Sequence, residues 1–289
     1  MQSSYLYSII LELSSINTTT IPAYRGDHTH ALFLDLVRQV DPELSGRLHD
    51  EQEYRPFTVS VLHGANVRDS MQVLQAGQVY RLRLTLLDSG HLWQRLSAHF
   101  LETSALTLRL DRAQLQLTRV ISTPSADSTG WAGYTDWQTL ACTPPRNLIT
   151  MHFASPCAFS MGNRRFALFP EPALLWESLI RSWNRYAPTV LQMDKAVLRE
   201  FVEQQVLVSD YELHTTRAVF ATHTQKGFLG TCTYQIKTGN GYALQLATLA
   251  EFARYAGVGS KTTSGMGQTR LEKSEDKSHE EQVMREAQV

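Results

Sequence analysis

The stretch Thr248-Leu-Ala-Glu-Phe-Ala-Arg-Tyr-Ala-Gly257-Val-Gly259-Ser-Lys261-Thr262-Thr263-Ser264-Gly265-Met-Gly267-Gln-Thr-Arg-Leu271 carries a helix-like run into a strand-like run through two Gly-x-Gly units. Glycine admits positive φ and lets another backbone come close. Between the glycines, Lys261, Thr262, Thr263 and Ser264 offer one charge and several hydroxyls beside backbone amides, a combination suited to phosphate. The triphosphatase loop G-x-x-x-x-G-K-[ST] does not fit, because Ser260 separates Gly259 from Lys261 and Arg254 stands at the first glycine position. A dinucleotide-binding fold places its glycines after its first strand, not before its last. A hairpin turn without a ligand is the plainer reading, and the paired glycine units around a polar centre favour the ligand.

Outward from this segment the chain falls into two halves of the same order. Residues 4–13 alternate as a strand, and Leu32, Leu36 and Val40 form one stripe of a helix over 31–40. In the strand over 79–87, Tyr80, Leu82, Leu84 and Leu86 face one way and Arg81, Arg83 and Thr85 the other. A helix over 92–103 and strand material over 106–110 and 115–120 complete the first half. The second half predicts a strand over 148–153, a helix over 172–186 with Pro188 just beyond it, strands over 211–221 and 228–237, then the helix, glycine loop and last strand. Residues 123–146, rich in Pro, Ser, Thr and Gly, read as a linker with ragged strand edges. The pattern is α+β, two tandem ferredoxin-like (RRM-like) β-α-β-β-α-β domains over 1–140 and 141–271.

Composition narrows the function. With 43% hydrophobic and 19% charged residues, the chain has apolar material for two cores. No apolar run reaches membrane-helix length and no signal-peptide pattern opens the chain. Cys142, Cys157 and Cys232 are scattered packing residues, which suits a reducing cytoplasm. Residues 272–289 hold six acidic and three basic residues, so removing that −3 from the total of −1 leaves +2 on the body. The tail reads as disordered or a loose helix, and any nucleic-acid site must be a local patch.

Among ten histidines, His28 and His30 form His-x-His before a helix, and His49 follows a helix end with Arg55 close behind. Histidine suits proton transfer near neutral pH. No cysteine or second His-x-His completes a zinc set, so no metal and no cofactor is expected. His91, His99, His152, His214, His223 and His279 have no partner that can be named from sequence. Arg164 and Arg165 sit on a turn-like hairpin; a solvated turn is the plain reading, and a grip on a phosphate backbone the functional one.

Four segments in order resemble the CRISPR repeat-processing endoribonucleases of the RAMP superfamily: Asp41-Pro-Glu-Leu-Ser-Gly-Arg-Leu-His49, Arg55-Pro-Phe-Thr-Val-Ser60, Phe166-Ala-Leu-Phe-Pro-Glu-Pro172, and Phe228-Leu-Gly230 running on to the glycine loop. The resemblance implies metal-independent cleavage of precursor CRISPR RNA within repeats, by 2′-hydroxyl attack, leaving 2′,3′-cyclic phosphate and 5′-hydroxyl ends. It places the catalytic histidine at His49, a second at His30 and a basic residue at Arg55, with acid and base roles open. Leu34 stands where some members carry tyrosine. RNA binding is expected from Gly257, Gly259, Lys261, Thr262, Thr263, Ser264, Gly265, Gly267, Arg164 and Arg165. CRISPR repeat RNA is the expected partner, with an effector complex and a homodimer as further candidates and no membrane. The alternative is a non-catalytic RAMP subunit that holds guide RNA. The full aromatic signature of RNA-recognition domains is absent, since Lys226-Gly-Phe-Leu-Gly only begins like it.

Overall fold

A computed structural model describes residues 5–50, 55–68, 70–87, 92–237 and 241–272. The expectation of a disordered tail falls outside these residues from 273 onward.

The chain opens with β1 (Tyr5–Ser15), β2 (Thr19–Pro22), α1 (Gly26–Val40) and α2 (Pro42–Asp50). It continues through β3 (Phe57–Val59), β4 (Val67–Arg68), β5 (Met71–Leu74), β6 (Val79–Leu86), α3 (Leu92–Glu102), β7 (Thr107–Leu110) and β8 (Ala113–Ile121). The first sheet runs β3-β6-β1-β8-β7, with antiparallel neighbours throughout. Strands β2, β5 and β4 form a small separate sheet. Next come β9 (Gly133–Asp136), α4 (Trp137–Ala141), β10 (Leu148–Cys157), β11 (Phe159–Ser160), β12 (Phe166–Ala167) and α5 (Pro172–Tyr186). The last elements are α6 (Lys195–Gln205), β13 (Val206–Val219), β14 (Thr224–Ile236), α7 (Gly241–Ala256) and β15 (Thr269–Leu271). The second sheet runs β13-β14-β10-β15. Both sheets therefore repeat one ferredoxin-like order, second-third-first-fourth, and the fold is α+β in tandem.

Local chemistry sets the elements that matter for the site. Helix α5 begins with Pro172 at its first position, where a missing N–H costs nothing. It buries Leu175, Trp176, Leu179, Ile180 and Trp183 at helical spacing. Trp183 meets Trp137 and Phe252 edge-on, at centroid distances of 5.1 and 5.2 Å. Each such pair stabilises by about 0.5–1.5 kcal/mol beyond area burial. Helix α2 is started by Asp41, whose Oδ1 accepts from the Leu44 amide at 2.9 Å, and by Pro42. Leu48 anchors it, and the Ser45 hydroxyl donates to the Leu34 carbonyl at 2.9 Å, tying α2 to α1.

Three sequence expectations change. The segment 123–146 is not a loose linker: β9 pairs with β1, and α4 buries Trp137 in the second core. Helix α6 was not anticipated, although Asp194 caps it by accepting from the Ala196 and Val197 amides. In β6, the face opposite Tyr80, Leu82, Leu84 and Leu86 is split: Arg81 is exposed, whereas Arg83 and Thr85 are buried. Arg83 and Thr85 point at the second domain, with the Thr85 hydroxyl donating to the Tyr255 carbonyl at 2.7 Å. Arg83 donates to Ser8 Oγ at 2.9 Å and to the Arg254 carbonyl, and lies 4.6 Å from the Trp131 ring. Burial, with Arg254 nearby, pushes its guanidinium down to about 9. The two domains thus dock through the polar face of the first sheet.

Candidate active site

That docking brings the glycine loop against the first domain. The Gly265 amide donates to the Val59 carbonyl at 2.9 Å. Gly26, the first residue of α1, lies so close to the loop that a Cβ there would fall 1.7 Å from the Ser264 carbonyl oxygen. Within the loop, Gly267 has φ 71°, and a Cβ would meet the Val258 carbonyl oxygen at 2.1 Å. The glycines fold the loop on itself and onto its neighbours.

The expected bare amides narrow to the centre of the loop, because its flanking amides are paired within the protein. Val258 donates to Gly267, Ser260 to Ala158, Ser264 to Lys261 and Gly267 to Pro156, while the Gly259 amide donates to Ser178 Oγ at 2.9 Å. Among the described residues, no acceptor pairs with the amides of Lys261, Thr262 and Thr263, which enter the tight turn Thr262–Ser264. Such orphan donors are the rule at the start of a helical turn.

His30 lies on α1, half-buried, its ring 5.6 Å from that of Phe57, with Nδ1 2.8 Å from the Thr263 carbonyl oxygen. A carbonyl oxygen only accepts, so Nδ1 carries the proton, and in the neutral ring Nε2 is left with the lone pair. Burial lowers the His30 pKa against the partly offsetting Thr263 bond, and the charges of Arg55 and His49 lower it further. His49 is exposed in the last turn of α2, its Nδ1 3.1 Å from Asp50 Oδ1. Arg55 precedes β3 and donates its backbone N–H to Tyr186 Oη at 3.2 Å, across the domain boundary. Its guanidinium Nε is buried with no partner among the described residues.

Between the domains opens a cleft of about 440 Å³ lined by Arg55, Phe57, Gly257, Gly259 and the loop residues Lys261 to Ser264. Neither histidine lines it, although His30 contacts two residues that do, Phe57 and Thr263. Its far wall is a face of α5 that the sequence reading did not single out, made of Ser178, Arg181, Ser182, Arg185 and Tyr186. The signal was present as polar residues at i, i+3, i+4 and i+7 opposite the apolar stripe. Arg55, Arg181, Arg185 and Lys261 give the lining its charge, with no Asp or Glu among the described residues.

A neighbouring groove lined by Arg164, Lys226 and His223 shares Lys261 with the cleft. Arg165 is exposed on the same β11–β12 turn but does not line that groove, and Gly265 and Gly267 are buried under the loop. His223, expected to stand alone, has a partner: its Nε2 meets Lys261 Nζ, and Nζ lies 3.9 Å from the Phe220 centroid. Among the described residues, no three His, Cys, Asp or Glu side chains gather as a metal set. No helix among them is long and apolar enough to cross a membrane.

Comparison with known proteins gives the following. Residues 5–141 match the family described as CRISPR Cas6 N-terminal domain, and residues 151–269 match CRISPR-associated endoribonuclease Cas6. A CRISPR-associated endoribonuclease Cas6 of Streptococcus thermophilus is 27% identical over 127 residues, covering 43% of this chain and 50% of that protein. The match thus spans about half the length of this curated relative. A Cas6 structure from Thermus thermophilus is 30% identical, covering 94% of this chain and all of that one, with a TM-score of 0.72. A Cas6 product complex is 29% identical, covers 92% of this chain and all of that one, and has a TM-score of 0.77.

Proposed function

The chain belongs to the family of CRISPR-associated Cas6 endoribonucleases, and from that premise we propose that it cuts precursor CRISPR RNA within its repeats by 2′-hydroxyl attack on the adjacent phosphate. The observation that carries this reading is Arg55, whose buried guanidinium Nε lacks a partner among the described residues, in a cleft whose described lining holds cations and no carboxylates. A buried donor of this kind calls for an acceptor, and a phosphate oxygen supplies one.

RNA brings its own nucleophile, so the protein has to hold the in-line geometry, move two protons and stabilise the growing charge. His30 takes the 2′ proton at Nε2, the atom its Thr263 bond leaves unprotonated, and its lowered pKa keeps it neutral near pH 7. His49 in its protonated form delivers a proton to the leaving 5′ oxygen. Arg55 sits on the pentacoordinate phosphate. No step calls for a metal ion, and the products are a 2′,3′-cyclic phosphate and a 5′-hydroxyl. Lys261, Thr262, Thr263 and Ser264 hold the RNA backbone with Arg181 and Arg185, and Arg164 extends the contact along the adjoining groove.

Repeat-containing RNA incubated with the protein in excess EDTA, beside a copy 2′-deoxy at the cut, tests this. Cutting of the first alone is expected, and His49→Ala should bind RNA yet lose cleavage. Cutting of the deoxy copy overturns the mechanism. One feature favours a second reading, a guide-holding protein without activity: neither histidine lines the cleft. Tight binding with no cutting of any repeat is its signature.

A further inference from the structure

Away from the cleft, four aromatic rings gather at the start of β1. Tyr7 lies opposite Tyr134 of β9, their centroids 6.2 Å apart. Trp93, in the first turn of α3, stands 5.3 Å from Tyr7, and Tyr5 stands 6.3 Å from Tyr134. Tyr134 is 53% exposed and Tyr5 38%, while Tyr7 and Trp93 are half-buried against the first core. The two outer rings are therefore open to solvent and the two inner ones hold them in place.

Round the edge of β9 this patch meets an open groove of about 730 Å³ lined by Tyr134, Thr135, Gln138, Thr139, Arg146 and Arg254, among others. Arg146 lies 3.8 Å from Glu251, too far for a hydrogen bond, and its buried Nε has no partner among the described residues. Glu251 also lines the groove, so with Arg146 and Arg254 the local balance stays positive. Exposed rings beside an incompletely bonded arginine are the two components of single-strand nucleic-acid recognition: flat surfaces for bases and a cation for the backbone.

The patch is also aligned with the cleft. Tyr134 pairs with Tyr7, Tyr7 with Leu86, and Leu86 with Phe57, so these four residues form one cross-strand row on one face of the sheet. Leu86 and Phe57 are core residues, and Phe57 borders the cleft with its ring tilted 33° to that of His30. Three strand spacings of about 4.8 Å place Tyr134 roughly 14 Å from Phe57 in a straight line, a separation that a few nucleotides can span over the surface.

We propose that Tyr5, Tyr7, Trp93 and Tyr134, with Arg146 in the adjoining groove, form a second RNA site that takes unpaired nucleotides flanking the scissile phosphate. Bases stack on the exposed faces of Tyr134 and Tyr5, and Arg146 meets a backbone phosphate. The inference rests on the proposed RNA cleavage. A protein partner docking on the same rings is the competing occupant.

The test maps the cut on a one-repeat RNA, then prepares a copy with abasic residues at the unpaired nucleotides around it. Affinities of wild type, Tyr134→Leu and Arg146→Gln are measured on both RNAs by fluorescence anisotropy. Tyr134→Leu should bind the intact RNA about tenfold more weakly and the abasic RNA as wild type does. Arg146→Gln should weaken both. Thermal unfolding confirms that the variants fold, as the exposure of Tyr134 leads one to expect. Equal affinities of wild type and Tyr134→Leu on the intact RNA overturn the second site, with a protein partner then the remaining occupant. A wild type that neither binds nor cuts the repeat RNA instead removes the premise.

Discussion

Gly26→Ala probes how the two domains hold the proposed base. An alanine Cβ at this position would sit 1.7 Å from the Ser264 carbonyl oxygen and 2.3 Å from its carbon, both backbone atoms with no rotamer to yield. To restore even a tight contact of 3.0 Å, α1 and the loop must part by about 1.3 Å, a strain costing about 1–3 kcal/mol. His30 lies about one turn further along α1, so its 2.8 Å bond to Thr263 opens to roughly 4 Å and is lost. A displacement of this size at a reacting group lowers a rate by about 100-fold. Single-turnover cleavage with protein in excess reads the rate, and thermal unfolding reads the strain. The control is Gly46→Ala on α2, where a Cβ meets nothing within 4 Å. That change should add about 0.5–1 kcal/mol of stability and leave the rate alone. If Gly26→Ala melts earlier yet cuts at the wild-type rate, the contact between α1 and the loop does not position the histidine.

Because His30 is lowered from 6.5 chiefly by burial, the acid limb of the cleavage profile should have its midpoint below 6.5, and a midpoint above it would refute His30 as the base. The same shift has a stability consequence with a definite sign: below pH 6.5 the unfolded chain takes up a proton that the folded one resists, so stability should fall with pH until the folded value is reached. Lys261→Ala should flatten the salt dependence of RNA binding by about 0.7 in log–log slope, and an unchanged slope means Lys261 touches no phosphate. Arg55→Ala should slow cleavage by about 100- to 1,000-fold, the usual loss for a donor aimed at developing charge. Arg55→Lys, which keeps the charge without the planar fork, should retain part of the rate, and equal loss in both would tie the role to guanidinium geometry rather than to charge.

Much of the fold was legible because helices and strands write their buried faces into neighbouring residues. The helix over 172–186 was read to the residue, since Pro172, an apolar stripe and Pro188 are all local signals. Helix α6 was missed although Asp194 caps it, because Lys195, Arg199, Glu200 and Glu203 leave a largely polar surface around Leu198, Phe201 and Val202. The segment 123–146 looked like linker because it is rich in Pro, Ser, Thr and Gly, and its order comes from distant partners: β9 borrows the edge of β1, and Trp137 enters the other core. Tertiary contacts of that kind override composition and leave no local trace.

The candidate site divides in the same way. Its residue types were visible, since histidine, arginine and a polar glycine loop declare their chemistry wherever they stand. Their arrangement was not: His30 meets Thr263 across 233 positions and Arg55 meets Tyr186 across 131. Both contacts cross the domain boundary, as does the approach of Gly26 to Ser264. The first domain brings the histidines and Arg55, whereas the second brings the loop and the arginine face of α5. Neither domain alone holds the cleft, so the proposed cleavage requires that they dock. The docking surface is the polar face of β6, where Arg83 and Thr85 bond to carbonyls of α7 just ahead of the loop. The residues these side chains hold, Arg254 and Tyr255, lead through Ala256 into Gly257. Polar positions on the second face of the β6 alternation therefore set the register between the proposed base and the loop that orients it.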